Sequence, residues 1–231
     1  YTLWHTLSLH DALPICLTFI CDITDNMIKL PEKIRNSEFL KNVFTLVSAN
    51  KIAQSVAILI YIVITRVYTP AELGLFALYM SIISVTSIFC TGKYELAIMI
   101  PSKDSKGAGL VIIAVVLSLF TSIILLLLVI FFRYPVSEIL GNKDIAPWLY
   151  FVPLSTFLIG AFHAFSYWHN RKKYYKRIAS ANLFQSLVNS LVKVSAFNLL
   201  KNGGGLIAGA ILGQVTGFFI FLSGIIDKSD R

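Results

Sequence analysis

Long apolar runs separated by short polar gaps dominate this chain. Six runs are long enough to cross a bilayer, because about 20 helical residues span a hydrocarbon core of about 30 Å. They lie near 43–65, 73–91, 108–132, 148–168, 178–200 and 205–226. Strand-like alternation is absent, and backbone in lipid must then be helical. The pattern predicts an all-α fold, a polytopic membrane protein built as a six-helix transmembrane bundle.

The composition agrees with a membrane protein. Of the 231 residues, 56% are hydrophobic and 14% are charged, whereas roughly a quarter are charged in a soluble domain. The net charge is +8, but Lys and Arg fall in the gaps between apolar runs. That placement argues against a nucleic-acid partner. The three cysteines lack metal or disulfide spacing, so no metal and no cofactor is predicted.

The distribution of Lys and Arg predicts the orientation. Fourteen lie in the N-terminal segment, the second and fourth gaps and the C-terminal end, and four lie in the other gaps. Cytoplasmic loops retain Lys and Arg, so both ends of the chain are expected in the cytoplasm. Lys106 and Lys172 are then cytoplasmic, whereas Lys143 and Lys201 face outward.

The first residues differ from the rest of the chain. Leu7–Ile15 resembles the in-frame translation of a sequencing adapter, in which GCT CTT CCG ATC encodes Ala-Leu-Pro-Ile. Residues 1–26 are interpreted as non-native adapter and leader sequence. The alternative is a signal peptide, but a basic n-region is missing and Asp11 and Pro14 interrupt the apolar run. The predicted organisation is adapter and leader (1–26), a cytoplasmic segment (27–42), a transmembrane lobe (43–226) and a cytoplasmic end (227–231).

Polar residues inside the predicted helices are the candidate site. Those of the fifth helix recur at i, i+3, i+7 and i+11 and therefore share one face: Asn182, Gln185, Asn189 and Lys193. Lys51 and Gln54 on the first helix, with its two serines, repeat in the same way. Both lysines are predicted to lie two to three turns inside opposite membrane faces. They either line a substrate cavity or extend their ammonium groups to the headgroups.

Glycine recurs every fourth residue in the sixth helix, at Gly205, Gly209, Gly213 and Gly217. Such a face allows another backbone to approach closely, as a packing surface or as a sliding one. Gln214 on this helix and His163 on the fourth are further cavity candidates, and His163 is either a packed interior residue or a proton site. Pro153 is expected to kink the fourth helix, and Pro135 to terminate the third.

No catalytic constellation is found, so the chain is not expected to be an enzyme. The acidic residues lie almost wholly in the gaps, and no triad, metalloprotease motif or phosphate loop occurs. A membrane enzyme of envelope polysaccharide assembly would normally carry a soluble domain or an acidic loop cluster, for which the gaps are too short.

Several tracts resemble the bacterial polysaccharide flippases, the O-antigen translocases of the multidrug/oligosaccharidyl-lipid/polysaccharide exporter superfamily. The tracts are Arg66-Val-Tyr-Thr-Pro-Ala-Glu-Leu-Gly74, Lys93-Tyr-Glu-Leu-Ala-Ile-Met-Ile-Pro101, 146–153, 168–177 and 205–214. Lys93 stands where arginine is usual in that family. The resemblance covers about 40–226.

The resemblance implies one lobe of a two-lobe transporter in the bacterial inner membrane. Such a protein moves undecaprenyl-pyrophosphate-linked oligosaccharide across the membrane by alternating access, which needs two bundles. The expected partners are this lipid-linked substrate, membrane lipid, a C-terminal lobe beyond this fragment and a polysaccharide polymerase. The alternatives are a small-molecule exporter of the same superfamily, which would more often hold a carboxylate in its first lobe, an envelope-assembly enzyme, or a non-transporting scaffold.

Overall fold

The structure is a computed structural model that describes residues 51, 54, 55, 58, 60–101, 103–197 and 203–229. The predictions for residues 1–50 and for Lys201 lie outside these residues. In the described residues all regular structure is helical and no strand occurs, which confirms the all-α prediction.

Apart from a short helix at Tyr94–Ala97, which lies in a predicted gap, the described helices follow the predicted apolar runs, with shifts of up to seven residues at their ends. They are α1 (60–67), α2 (Pro70–Cys90), the short α3 (Tyr94–Ala97), α4 (Asp104–Ile139), α5 (Phe151–Arg171), α6 (Tyr175–Ser195) and α7 (Gly204–Ser229). Residues 51, 54, 55 and 58 are also helical. Two 3-10 turns, Lys143–Ile145 and Trp148–Tyr150, join α4 to α5.

Four described stretches are long and apolar enough to cross a membrane: Pro70–Cys90, Asp104–Ile139, Trp148–Arg171 and Gly204–Ser223. These spans make the chain a membrane protein. α6 is not among them, since it combines a basic first turn, at Lys176 and Arg177, with several amides. Six spans therefore stay a prediction.

Small polar groups hold α2, α4 and α5 together. Tyr79 of α2 shares a 2.8 Å hydrogen bond with Ser155 of α5, and Ser122 of α4 donates to the Pro153 carbonyl at 2.7 Å. At Gly160 of α5 a Cβ atom would lie 2.7 Å from both Cys90 Sγ and Ser118 Cβ. Close approach at a small residue with hydrogen bonds across helices is the usual packing of membrane helices.

The prediction that Pro135 ends its helix is wrong, whereas the kink at Pro153 stays a prediction. Pro135 lies inside α4, which continues to Ile139, so it does not end the helix. Pro153 is the third residue of α5, where a backbone N–H has no partner within the helix in any case. Its ring therefore frees no carbonyl inside α5.

Contacts between loops define two ends of the bundle. At one end, Arg171, the last residue of α5, and Lys172 just after it form ion pairs with Asp104, the first residue of α4. At the other end, the backbone N–H of Gly203 donates to Glu72 at 3.0 Å. The predicted cytoplasmic gaps meet at the first end and the predicted outward gaps at the second.

Candidate functional site

The polar face of α6 and the glycine face of α7 pack against each other. A Cβ atom at Gly209 would lie 2.8 Å from the carbonyl oxygen of Asn189, and one at Gly213 would lie 2.9 Å from that of Gln185. A Cβ atom at Gly205 would meet Tyr68 Oη and Ala196. The absence of side chains thus brings the two backbones into contact over the length of the seam. The two faces that the sequence predicts separately are the two sides of this α6–α7 seam.

Lys193 closes the seam at the end marked by Glu72. Its carbonyl accepts a 2.6 Å hydrogen bond from Tyr68 Oη. Its Nζ lies 4.4 Å from the centre of the Phe76 ring on α2, a cation–π contact. Among the described residues no carboxylate lies within 4.0 Å of this ammonium group. The cation is therefore set against an aromatic ring and has no anion beside it in this part of the chain.

The position of Lys193 within α6 differs from the predicted one. The helix ends at Ser195 rather than near residue 200, so Lys193 lies in its last turn. Its neighbours lie deeper in their own helices: Phe76 is in the second turn of α2 and Gly209 in the second turn of α7. A helical side chain points back toward the N-terminus of its helix, which directs the ammonium group of Lys193 into the bundle. At about 1.5 Å per residue, five to six residues place this group about 8–9 Å from the starts of α2 and α7.

Two amide oxygens in the seam helices have no partner among the described residues. They are Oδ1 of Asn189 and Oε1 of Gln214, and both atoms are fully buried. Gln214 as a whole is only 7% exposed. A buried acceptor without a donor is costly and calls for an explanation.

The remaining predicted site residues differ in burial. Asn182 is partly buried, Lys51 is partly buried and Gln54 is exposed. Asn182 and Lys51 each have an interaction partner. His163 is exposed, so it is not a packed interior residue in this part of the chain. The packed histidine is His169, which is 1% exposed and shares a 2.9 Å hydrogen bond with the Phe165 carbonyl.

Glu95 is a further candidate residue, which the sequence alone places in a polar gap between helices. The short helix α3 buries this residue to 6% exposure, and its Oε2 atom has no hydrogen-bond partner among the described residues. Burying a carboxylate near the membrane costs free energy, and this cost makes Glu95 a candidate functional residue. No signal in the sequence shows that α3 folds back against the bundle.

Arg171 is a second residue whose role only the structure shows. Its Nη1 donates to the Ile98 carbonyl at 2.9 Å, and its Nε and Nη2 lie 3.3 Å from Asp104 Oδ1. A Cβ atom at Gly107 would lie 3.1 Å from Arg171 Nε. Arg171 thus ties the loop after α3 and the start of α4 to the end of α5. From the sequence alone, Arg171 is only one of the basic residues that predict the orientation in the membrane.

Comparison with known proteins places the chain in a family. Residues 63–227 match the family model described as polysaccharide biosynthesis protein. No curated protein and no solved structure matches. The match includes all five tracts on which the resemblance to polysaccharide flippases rests, and it supports that resemblance. The chain belongs to the polysaccharide biosynthesis protein family and takes part in polysaccharide assembly or export.

Proposed function

We propose that the chain is one lobe of a lipid-linked oligosaccharide flippase of the bacterial inner membrane, acting by alternating access and without catalysis. The substrate is a sugar repeat unit on undecaprenyl pyrophosphate. Its partners are a second lobe of the same protein and a polysaccharide polymerase. The family match supports the general role, and the flippase activity is the proposal.

The cation at the α6–α7 seam carries this proposal. Keeping a charge inside a membrane costs a few kcal/mol unless water or a counter-ion meets it. Lys193 Nζ has an aromatic ring at 4.4 Å and no carboxylate within ion-pair distance in the described residues. A pyrophosphate passing between leaflets supplies the missing anion. Asn189 and Gln214 offer acceptor oxygens to sugar hydroxyl groups if the seam separates during transport.

The test is complementation of a flippase-null strain with the full-length protein, scored by surface polysaccharide. Lys193→Ala should lower export at near-normal expression, Lys193→Arg should be milder because it keeps the charge, and Lys193→Glu should be worst because it repels phosphate. The same series applies to Lys51. Lys176→Ala is the matched control, since Lys176 is an exposed lysine of the same helix. Equal rescue by the Ala, Arg and Glu variants at both sites would refute a phosphate-guiding role.

Glu95 favours a second candidate function, a small-molecule exporter of the same superfamily. Such a protein uses a carboxylate for a cationic substrate or a coupling ion, and Glu95 supplies a buried carboxylate with an unpartnered oxygen. If this function holds, Glu95→Gln should raise the sensitivity of cells to cationic drugs and leave surface polysaccharide unchanged. A loss of polysaccharide with unchanged drug sensitivity would exclude it.

A further inference from the structure

The far end of α4 carries a cluster of one arginine and two tyrosines that has no part in the seam. The charged residues Lys106 and Arg133 bracket the apolar run of this helix. They are 27 positions apart, which corresponds to about 40 Å along a helix. A bilayer with its headgroups is about 40–45 Å thick. Arg133 therefore lies at the headgroup layer opposite to that of Lys106.

The guanidinium group of Arg133 contacts two aromatic rings. Its Cζ lies 4.4 Å from the centre of the Tyr134 ring and 5.1 Å from that of Tyr150. Its Nη2 donates a 2.8 Å hydrogen bond to Tyr134 Oη. These contacts fix the orientation of the guanidinium plane and tie α4 to the turn before α5.

This fixed cation keeps most of its hydrogen-bonding capacity. An arginine has five N–H donors, and Arg133 uses one of them on a described side chain. No carboxylate of the described residues lies within 4.0 Å of it. Since Tyr134 Oη accepts from Arg133, its own proton remains available to a ligand. Tyr134 is 61% exposed, so a ligand can approach from the lipid side.

The chemistry of the cluster fits a phosphate group. The planar fork of arginine matches two phosphate oxygens, and an aromatic stack preorganises it. At the headgroup layer the available anion is a lipid phosphate. Trp148 and Phe151, whose rings lie 5.9 Å apart, flank Tyr150 in the chain, and aromatic residues are typical of this layer.

We propose that Arg133 and Tyr134, braced by Tyr150, bind the phosphate group of a lipid in the leaflet farther from Lys106. The lipid is either the polyprenyl carrier or an anionic phospholipid, because both present the same phosphate chemistry. Only the assignment to the carrier rests on the proposed flippase function. The phosphate site itself does not.

Native mass spectrometry of the purified full-length protein in detergent tests this site with three probes. They are a polyprenyl phosphate, the matching polyprenol and phosphatidylglycerol. Arg133→Gln should weaken binding of polyprenyl phosphate about tenfold or more, as expected for a lost charge-assisted hydrogen bond. Arg133→Lys should fall between this variant and the wild type, because it keeps the charge and loses the fork. Arg66→Gln, an exposed arginine of the same end, is the matched control.

Each outcome decides the proposal. Weaker binding of both phosphate lipids, or of either one alone, supports the site and identifies its lipid. Unchanged binding of both in Arg133→Gln overturns it, as does equal binding of polyprenol and polyprenyl phosphate by the wild type. If Arg133→Gln does not fold, Tyr134→Phe takes its place, since it keeps the ring and removes one donor. The measurement involves no transport, so its failure is distinct from a failure of the flippase proposal.

Discussion

Gly213 provides the sharpest test of the α6–α7 seam. A Cβ atom at this position would lie 2.8 Å from Asn189 Cβ and 2.9 Å from the Gln185 carbonyl oxygen. The second of these atoms belongs to the backbone and cannot rotate away. Gly213→Ala therefore requires α6 and α7 to separate by several tenths of an ångström to reach ordinary contact.

The expected free-energy change combines two opposing effects. Overpacking of a close interface costs about 1–3 kcal/mol, whereas alanine in place of glycine favours a helix by about 0.5–1 kcal/mol. The net result for Gly213→Ala is a destabilisation of about 0–2.5 kcal/mol. For a chain of this length that lowers the unfolding temperature by about 0–10 °C. Gly213→Leu and Gly209→Leu should be worse and should impair folding or transport.

Gly74→Ala is the matched control. Gly74 is an exposed residue inside α2, and a Cβ atom there has nothing within 4 Å. Only the helix-propensity effect remains, so this variant should be as stable as the wild type or slightly more stable. Thermal unfolding of both variants in the same detergent measures the difference. An equal or higher unfolding temperature for Gly213→Ala than for Gly74→Ala would refute a close seam between the backbones.

Three further predictions concern the rest of the bundle. Arg171→Gln should destabilise the protein by about 2 kcal/mol in thermal unfolding, because it removes a charged hydrogen bond to a buried loop carbonyl, and an unchanged unfolding temperature would contradict this. Tyr79→Phe should cost about 1 kcal/mol in the same assay, since it leaves the Ser155 hydroxyl without its partner, and equal stability would show that this bond contributes nothing. Single cysteines at Lys172 and Lys143 should be labelled from the cytoplasm and from outside, respectively, and the reverse labelling would overturn the predicted orientation.

Helix positions could be predicted from the sequence because the membrane leaves few alternatives. Backbone groups in lipid must pair internally, so each long apolar run has to be a helix. The ends of the helices are predicted less precisely. Outside the hydrocarbon core, backbone groups no longer have to form hydrogen bonds within the helix. α4 shows this, since it continues past Pro135 to Ile139. Pro135 leaves the carbonyl of residue 131 without its helical donor, and near the headgroup layer water can hydrogen-bond to that carbonyl.

Side-chain environments could be predicted less well, because they depend on which helices meet. His163 and His169 are six positions apart, so they point in different directions around α5. The sequence gives no reason to prefer one, yet His169 is buried and His163 is exposed. The burial of Glu95 also depends on which elements meet. The sequence places Glu95 in a polar gap, and such a gap is exposed only where it does not fold back against the helices. The sequence predicts a polar face on α6 and a glycine face on α7. It does not predict that these two faces contact each other, because that depends on how the helices are arranged.

Stability and export of a Lys193 variant at the α6–α7 seam distinguish a transport role of this residue from a structural one. Lys193 Cγ lies 2.6 Å from the position that a Cβ atom at Gly209 would take, so the lysine stem is part of the close packing. Lys193→Ala shortens this stem and removes a charge whose burial is costly. If the residue served packing alone, stability and export would fall together. If it serves an anionic substrate, the protein should stay as stable as the wild type or become more stable while export falls. Opposite signs of the two effects in one variant are a result that a purely structural lysine does not give.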